Sequence, residues 1–454
     1  MRTRIRVSAA LTAAALPIAL TGCSSSDSGG SSASSGPVTL TYALWDSNQQ
    51  PAYQACADAF TQANPTVHVK ITQAAWSQYW QNLTTQMTAG DAPDVFTDHV
   101  AYYPQFVKNG QILDISSRVA ADKVDLSQYQ TGLADLWVKD GKRYGLPKDW
   151  DTIAVVYNTT MLKSAGVDPA SLGTLTWNPS DGGGFEQLIA KMTVDQNGHN
   201  GLDPAFDKNH VKVHGIELAY DDGSTGQSSW GNLAAENGFT FLDKNPFGTK
   251  YHYGDPQLAQ TVDWMASLAK KGYAAAYDKS STLGPDAVLN AGKSAMTMTG
   301  SWNINTYLGS SATQKFAFAP LPTGPQGRKT FINGLSDAIY AGTKHPDQAW
   351  QWVKFLGSSS CQDIIAAKGV VFPAVKADSD KALATHQAAG QDVKVFVDEA
   401  TAAGGTFTYP ITDHADQITQ ELQTDLESVW LGQAGASSAL GKAQKAVDGF
   451  FAQP

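Results

Sequence analysis

Cysteine is scarce in this chain, because the 454 residues contain only Cys23, Cys56 and Cys361. So few cysteines exclude a small fold that is held together by a framework of disulfides. Cys56 and Cys361 each lie on the apolar stripe of a predicted helix, so we interpret both as small buried core residues. A bridge between the two is the alternative.

Positive charge is also in short supply, with 32 Lys and Arg against 42 Asp and Glu and a formal net charge of −10. Three of the basic residues, Arg2, Arg4 and Arg6, fall in an N-terminal segment that we expect to be removed. A chain this acidic lacks the basic surface that nucleic-acid binding requires. We therefore expect no nucleic-acid partner.

Spacings typical of metal sites are missing too. The nine histidines are scattered, and no pair has the separation typical of zinc ligands. Residues 195–203 are similar to an oxygen-rich calcium loop, but they have Asn200 at the sixth place, where the EF-hand has glycine, and they lack the distal Glu. We predict a polar surface turn there, and neither a metal nor a cofactor.

Long apolar runs are absent beyond the first twenty residues, so no later segment is expected to span a membrane. The first run, residues 7–20, is short and follows a basic start, which is typical of a secretory signal. It leads into Leu20-Thr21-Gly22-Cys23, which is similar to the bacterial lipobox. We predict a signal peptide over residues 1–22 and lipidation of Cys23, with an ordinary signal peptide as the alternative.

The segment after Cys23 consists almost only of Ser, Gly and Ala up to residue 36. Such a composition cannot bury enough apolar surface to become ordered. We predict a lipidated flexible tether over residues 23–37 that holds the folded part outside the cell, at the outer face of the cytoplasmic membrane. Roughly 400 residues follow, more than one core usually supports, so we expect two domains.

Strand and helix patterns alternate after the tether. Alternating apolar residues predict strands near 38–44, 67–71 and 95–96, and apolar stripes at helical spacing fill the two intervals between them. A β-α-β-α-β series predicts a mainly parallel sheet covered by helices. A second α/β region begins near Thr152, and the sequence has no internal repeat.

Four segments together resemble the maltose and multiple-sugar type of ABC-transporter substrate-binding lipoproteins. They are Ala89-Gly90-Asp91-Ala92-Pro93-Asp94-Val95, Tyr144-Gly145-Leu146-Pro147-Lys148-Asp149-Trp150-Asp151-Thr152 followed by Tyr157-Asn158, Ala295-Met296-Thr297-Met298-Thr299-Gly300-Ser301-Trp302, and Leu321-Pro322-Thr323-Gly324-Pro325 leading to Asn333-Gly334-Leu335-Ser336. The resemblance runs from about Val38 to the C-terminus.

The resemblance implies an α/β fold of the periplasmic-binding-protein-like type II, in which two lobes are joined by hinge strands that cross between them. Lobe one would comprise residues 38–146 plus 300–344, and lobe two residues 147–299 plus 345–454. Such proteins close around a ligand by a hinge motion, and the closed form is the one that the transporter recognises.

A sugar site needs flat aromatic walls and polar groups that reach the ring hydroxyls. Tryptophans within helical patterns are expected to be core residues: Trp76, Trp80, Trp264, Trp350 and Trp352. Tryptophans at strand ends or in loops are candidates for the cleft: Trp45, Trp150, Trp230 and Trp302.

Polar candidates follow the ends of predicted strands or match positions of the family motifs. The resemblance implies that Asp151 is the strongest polar candidate and that Asp149 is also one. The alternative role for both carboxylates is to cap the strand or to pair with Lys148. Ordinary loop chemistry is an equal alternative for four further candidates, Asn48, Gln49, Asp98 and His99. The remaining candidates are Gln227, Ser301, Asn333 and Tyr409.

The function implied is capture of a mono- or oligosaccharide in an interlobe cleft, for delivery to the permease subunits of an ABC importer. We expect a monomer without catalytic residues. One alternative keeps the fold and changes the ligand to a polyamine or another non-sugar solute. The other is a secreted glycoside hydrolase that uses Asp149 and Asp151 as its two carboxylates.

The lipobox predicts that Cys23→Ser releases the protein from the membrane in a form that still binds its ligand, because the anchor lies outside the predicted fold. Fractionation of cells that express this variant measures the release. Membrane retention equal to that of the wild type would remove the lipoprotein interpretation.

Overall fold

The computed structural model describes residues 36–280 and 283–452. The predicted signal peptide, Cys23 and most of the predicted tether therefore lie outside the described residues. None of the described helices is both long enough and apolar enough to cross a membrane.

The strands form one large and three smaller sheets. They are β1 Val38–Leu44, β2 Val67–Gln73, β3 Val95–His99, β4 Val138–Lys139, β5 Lys142–Arg143, β6 Leu146–Asp151, β7 Ile153–Asn158, β8 Val194–Asp195, β9 Val211–Val213, β10 Met296–Gly300, β11 Phe316–Ala319, β12 Thr330–Ile339, β13 Phe372–Pro373 and β14 Thr406–Thr408. The large sheet has the order β13-β6-β12-β3-β1-β2, with β14 paired to β12, and the three-stranded sheet has the order β10-β7-β11.

Helices cover both of these sheets. They are α1 Gln50–Ala63, α2 Trp76–Ala89, α3 Tyr103–Lys108, α4 Ser116–Ala121, α5 Thr159–Ser164, α6 Gly183–Met192, α7 Trp230–Glu236, α8 Pro256–Lys270, α9 Tyr277–Ser280, α10 Pro285–Asn290, α11 Ile304–Leu308, α12 Pro346–Leu356, α13 Ser359–Lys368, α14 Lys376–Ala388, α15 Lys394–Thr401, α16 Ala415–Trp430 and α17 Ala436–Ala452. Short 3-10 helices lie at Leu126–Gln128, Leu133–Trp137, Pro169–Thr174 and Ser301–Asn303.

The first five elements have the predicted order β1-α1-β2-α2-β3, and β1 pairs in parallel with both β2 and β3. Pro51 lies in the first turn of α1, where its missing N–H is not needed. Gly90 ends α2 in the left-handed conformation, with φ +83°, which glycine adopts without strain. The predicted parallel α/β start of the chain is confirmed.

The two largest hydrophobic cores centre on the two sheets. In the first, side chains of β1, α1, α12 and α13 pack together, among them Leu40, Phe60 and Trp352. In the second, side chains of β7, β10, α6, α8, α16 and α17 pack together, among them Ile153 and Trp264. Each sheet thus buries its apolar residues under its own helices, and the cleft residues lie where the two sheets approach each other.

The chain crosses between the two sheets on extended strands. Only Thr152 separates β6 of the large sheet from β7 of the small one. Its hydroxyl donates to the carbonyl of Phe396 at 2.8 Å, and its carbonyl accepts the N–H of Ser301 at 3.1 Å. A second crossing leads from β11 into β12, where the hydroxyl of Thr330 accepts the N–H of Ile153 at 2.9 Å.

The packing disagrees with two of the predicted lobe boundaries. Residues 345–454 were all expected in lobe two, yet α12 and α13 pack against α1 and β12 in the core of the large sheet. The apolar face of α12 covers that sheet, so the chain stays with the first lobe after β12. Residues 147–151 likewise pair within the large sheet. The other lobe boundaries stay a prediction.

The two cysteines of the folded part form a disulfide, so the interpretation as two unbridged core residues is wrong. Cys56 on α1 and Cys361 on α13 have Cα atoms 5.2 Å apart, within the range that a disulfide requires. Both are fully buried. Apolar stripes predicted their burial, but the contact between helices 305 residues apart depends on the tertiary fold.

We expect Trp352→Ala to lower the free energy of unfolding by about 3 to 5 kcal/mol, since it empties a fully buried position. The Trp352 ring contacts Phe60 and Tyr42, with centroid distances of 5.1 and 5.7 Å. Urea unfolding gives the value, with Trp76→Ala as control because that side chain is 40% exposed. Equal losses in the two variants would contradict this assignment of Trp352 to the core.

Candidate functional site

A cavity of about 630 Å³ lies where the two sheets approach each other. Strands β6 and β12, the residues after β1 and β10, the first turn of α10 and the loop at residues 221–228 contribute to its wall. The residues that line it are Trp45, Asp46, Ser47, Asn48, Gln49, Gln73, Ala75, Trp76, His99, Asp149, Trp150, Asp151, Asp221, Asp222, Gly223, Gln227, Ser228, Asp286, Ser301, Trp302, Asn303, Thr306, Asn333, Leu335, Val371 and Tyr409.

The crossing strand β6 brings two carboxylates to this cavity. Side chains two residues apart on a strand share a face, so Asp149 and Asp151 lie side by side. Strand β12 runs antiparallel beside them, with Leu335 opposite Asp149 and Asn333 opposite Asp151. All six residues of β6 are buried.

Asp151 connects three elements of the cleft. One carboxylate oxygen accepts a hydrogen bond from Gln227 Nε2 at 2.8 Å, and the other accepts one from Asn333 Nδ2 at 3.3 Å. The same Asn333 nitrogen lies 3.0 Å from His99 Nε2. Burial raises the pKa of Asp151 well above its ordinary value, and the nearby charge of Asp149 raises it further.

Asp149 and its neighbours leave oxygens without partners. The pKa of Asp149 is raised to about 7, first by burial, although the charge of Lys148 lowers it. Asp149 Oδ2, Ser301 Oγ and Asn333 Oδ1 are buried and have no hydrogen-bond partner in the structure. A buried polar atom without a partner is costly, so these three atoms are the natural contacts of a polar ligand.

His99 contributes no positive charge. Burial lowers its pKa to about 3, so the ring is neutral at physiological pH. Its Nδ1 accepts the N–H of Ala101 at 3.1 Å, and its ring packs edge-on against Tyr409 with 4.8 Å between the centroids.

Aromatic side chains form walls on both sides of the cavity. Trp45 and Trp76 pack edge to face at 5.0 Å on the large-sheet side. Trp302 and Tyr409 face the cavity and pack at their backs against the core of the small sheet. Such faces suit the apolar C–H surface of a sugar ring.

One hydrogen bond joins the two sides near the opening. Asn48 Nδ2, in the loop after β1, donates to Thr306 Oγ1 of α11 at 3.1 Å, and both residues are on the cavity wall. Asp46 organises that loop, since it accepts hydrogen bonds from the N–H of Asn48 and from Gln49 Nε2, each at 2.8 Å.

The structure brings most of the sequence-predicted residues together at this cavity. Those on its wall are Trp45, Asn48, Gln49, His99, Asp149, Trp150, Asp151, Gln227, Ser301, Trp302, Asn333 and Tyr409. Trp150 borders the cavity, but its ring stacks on Phe372 at 4.9 Å, so it supports the strand as well.

Two predicted residues lie elsewhere. Asp98 is fully buried within β3, where its carboxylate accepts the N–H of His99 at 2.8 Å; side chains alternate along a strand, so the two cannot share a face. Trp230 begins α7 and is buried in the core of the small sheet, with its ring 5.8 Å from that of Phe241. Neither lines the cavity.

Sequence reasoning missed several residues of the wall. Trp76 was assigned to the core because of its helical pattern, but as the first residue of α2 it projects beyond the sheet. Asp46 follows the predicted residue Trp45 in the chain, and Asp221 and Asp222 lie in the same loop as the predicted residue Gln227. These positions could therefore have been found from the sequence. Asp286, at the start of α10, gave no such signal.

The calcium-like segment is a turn between β8 and β9. The Asp195 carboxylate accepts backbone N–H groups of Asn197, His199 and Asp207 at 2.8 to 2.9 Å, so its oxygens hold the loop together. Within residues 36–280 and 283–452, no cluster of three or more His, Cys, Asp or Glu side chains is arranged to hold a metal ion.

Comparison with known proteins gives consistent matches. A family model described as bacterial extracellular solute-binding protein matches residues 55–389. The maltodextrin-binding protein MdxE of Bacillus subtilis is 25% identical over 78% of this chain and 76% of its own length. The diacetylchitobiose-binding protein DasA of Streptomyces coelicolor is 23% identical over 96% of this chain and 94% of its own length.

Solved structures show the same fold. An ABC substrate-binding protein of Listeria monocytogenes in complex with cycloalternan superposes with a TM-score of 0.79 at 19% identity, covering 92% of this chain and 99% of that one. The GacH receptor of Streptomyces glaucescens gives 0.73 at 19% identity, covering 91% and 98%. The predicted two-lobe α/β fold with crossing strands is confirmed.

Titration of Asp149 predicts a pH-dependent difference between wild type and Asp149→Asn. A carboxyl whose folded pKa is raised, here from 3.8 to about 7, stabilises the fold at low pH and loses that contribution as the pH rises through the folded value. Relative to the wild type, Asp149→Asn should therefore gain roughly 1 kcal/mol of unfolding free energy per pH unit between about pH 4 and pH 7.

Urea unfolding of both proteins along this pH series measures the difference. The control is Asp380→Asn, which removes an exposed carboxylate of α14 that is not among the residues lining the cavity. Parallel pH profiles for wild type and Asp149→Asn would contradict the predicted titration.

Proposed function

This chain belongs to the bacterial extracellular solute-binding proteins, and from that membership we propose that it captures a mono- or oligosaccharide in the cleft and delivers it to an ABC importer. The observation that carries the proposal is the pairing of aromatic walls with unpartnered buried oxygens around one cavity. Aromatic faces suit sugar C–H surfaces, and carboxylate, amide and hydroxyl oxygens suit sugar hydroxyls. Relatives named for maltodextrin and diacetylchitobiose support this ligand class.

The proposed role is binding without turnover. Asp151 already accepts hydrogen bonds from Gln227 and Asn333. This arrangement suits a carboxylate that positions neighbouring side chains, and it is less suited to a carboxylate that acts as a nucleophile. The family is one of transporter binding proteins, and reversible capture requires only that the lobes close and open around the hinge strands.

The proposed closed state brings the loop after β1 against α11. The hydrogen bond between Asn48 and Thr306 supports this, because its two partners belong to elements that pack on different sheets. Permease subunits are the proposed partners, and a monomer anchored through Cys23 and its tether is the proposed cellular form.

The ligand-binding residues proposed are those predicted from the sequence that line the cavity, together with Trp76 and Asp46. Trp302 supplies a stacking face from the small-sheet side, and Trp76 supplies one from the large-sheet side. Asp149, Asn333 and Ser301 supply the polar contacts.

We expect at least one saccharide in a panel of maltotriose, mannotriose, arabinotriose and N,N′-diacetylchitobiose to raise the melting temperature, since a ligand at 100 times its Kd stabilises by about 2.7 kcal/mol. Calorimetry should then show that Trp302→Ala and Asp151→Ala each weaken binding by about 10-fold or more. Chromatography of the recovered sugar should find it uncut.

The matched control is Trp430→Ala, another partly buried tryptophan that packs against the small-sheet core without lining the cavity. It should leave the Kd within about 2-fold of the wild type. Cleaved sugar would favour the hydrolase alternative, and equal weakening in Trp302→Ala and Trp430→Ala would move the site away from this cavity.

A further inference from the structure

The charge of the cleft wall is one-sided. Six carboxyl groups line the cavity, and no lysine or arginine is among its lining residues in the described part of the chain: Asp46, Asp149, Asp151, Asp221, Asp222 and Asp286. They come from both sides, since Asp46 follows β1 while Asp286 begins α10. The wall therefore opposes an anionic ligand and attracts a cationic one.

The neighbouring lysine does not neutralise the wall. Lys148 precedes Asp149 on β6, but its Nζ lies 3.9 Å from the centroid of the Tyr53 ring and 3.0 Å from Thr97 Oγ1, inside the large sheet. There it pairs with the buried Asp337 at 3.8 Å. Its charge is thus matched by a carboxylate outside the cavity wall.

The unpartnered buried atoms also favour a ligand that donates hydrogen bonds. Asp149 Oδ2 and Asn333 Oδ1 are buried acceptors, and both belong to residues of the wall. A sugar hydroxyl can donate one hydrogen bond to such an acceptor, whereas an ammonium group offers three donors and no acceptor, so it can satisfy several acceptors at once. The rings of Trp45, Trp76 and Trp302 add faces over which a cation is held favourably.

The titration of the wall agrees with this chemistry. Burial raises the pKa of Asp222 to about 7, as it does for Asp149, and it also raises the pKa of Asp46 and of Asp286. Removal from water disfavours the charged form of a carboxyl, and the charge of Lys148 offsets this effect only in part for Asp149 and Asp46. A bound ammonium would restore their ionised form.

We propose that the saccharide captured in this cleft carries a protonated amine, so that the site selects amino sugars with a free amino group over their neutral, N-acetylated and anionic counterparts. The inference rests on the proposed sugar-binding function and specifies the chemical class of its ligand. Hydroxyl contacts still set the fit of the ring, and the ammonium group adds charge-assisted hydrogen bonds to the carboxylates.

Calorimetry on the full-length protein tests the proposal with three disaccharides that share one β-1,4-linked skeleton. Chitobiose carries amines at carbon 2, N,N′-diacetylchitobiose carries acetamides and cellobiose carries hydroxyls. Maltotriose and spermidine complete the panel. We expect chitobiose to bind at least about 10-fold more tightly than either analogue, with an advantage that shrinks as salt is added.

Two variants distinguish recognition of the ligand's charge from recognition of its shape. Asp221→Asn and Asp222→Asn should each weaken chitobiose binding by about 3- to 10-fold and weaken cellobiose binding by a clearly smaller factor. Asp221 is exposed, so that variant is expected to fold normally. Asp380→Asn, which removes an exposed carboxylate outside the cavity wall, should change neither. A merely structural effect would alter binding of both sugars together.

The remaining outcomes show whether only the selection for an amine fails or whether the sugar-binding function fails as well. A neutral sugar that binds as tightly as chitobiose, or more tightly, overturns the selection for an amine and leaves the sugar-binding function standing. Binding of spermidine with no binding of any sugar, or no binding at all, overturns the sugar-binding function and this inference with it.

Discussion

The pairing of β6 with β12 is the constraint on which the rest of the cleft depends. It places Asp149 and Asp151 on a strand that is buried along its whole length, at the point where the chain leaves one sheet for the other. Carboxylates removed from water are costly unless they are hydrogen-bonded. Gln227 and Asn333 meet this need for Asp151, while Asp149 Oδ2 stays unpartnered. The strand that crosses between the sheets is therefore also the strand that presents polar groups to the cavity.

A second polar group stabilises this strand from behind. Lys148 lies at an irregularity in the pairing of β6 with β12, and its Nζ reaches Tyr42, Thr97 and Asp337 in the interior of the large sheet. The cation holds β6 against β1, β3 and β12, while its charge stays outside the cavity wall. Adjacent residues of opposite charge on β6 thus serve two purposes, because Lys148 stabilises the sheet and Asp149 lines the cavity.

Sequence patterns predicted the local structure well and the long-range packing less well. The alternation of Val38 to Leu44 was visible because it depends on neighbours along the chain, whereas the crossing at Asp149-Trp150-Asp151 was implied by the family resemblance. Trp76 was assigned to the core because an apolar stripe does not reveal where a helix begins relative to its sheet, whereas Trp80, one turn later, is buried. Trp230 and the Cys56–Cys361 disulfide depend on elements that are distant in sequence, so no local pattern could place them.

The disulfide between α1 and α13 has a consequence for the order in which the chain assembles. Its two cysteines are separated by 305 residues, and the β12 strand that lies between β3 and β6 is itself a late segment. At a synthesis rate of about 5 to 20 residues per second, the interval between the two cysteines is roughly 15 to 60 s. During most of that time the first lobe lacks β12, α12 and α13, although its first three strands and α1 already exist. The core of the second lobe in turn includes α16 and α17, which follow Cys361, so each lobe is completed only by segments from late in the chain.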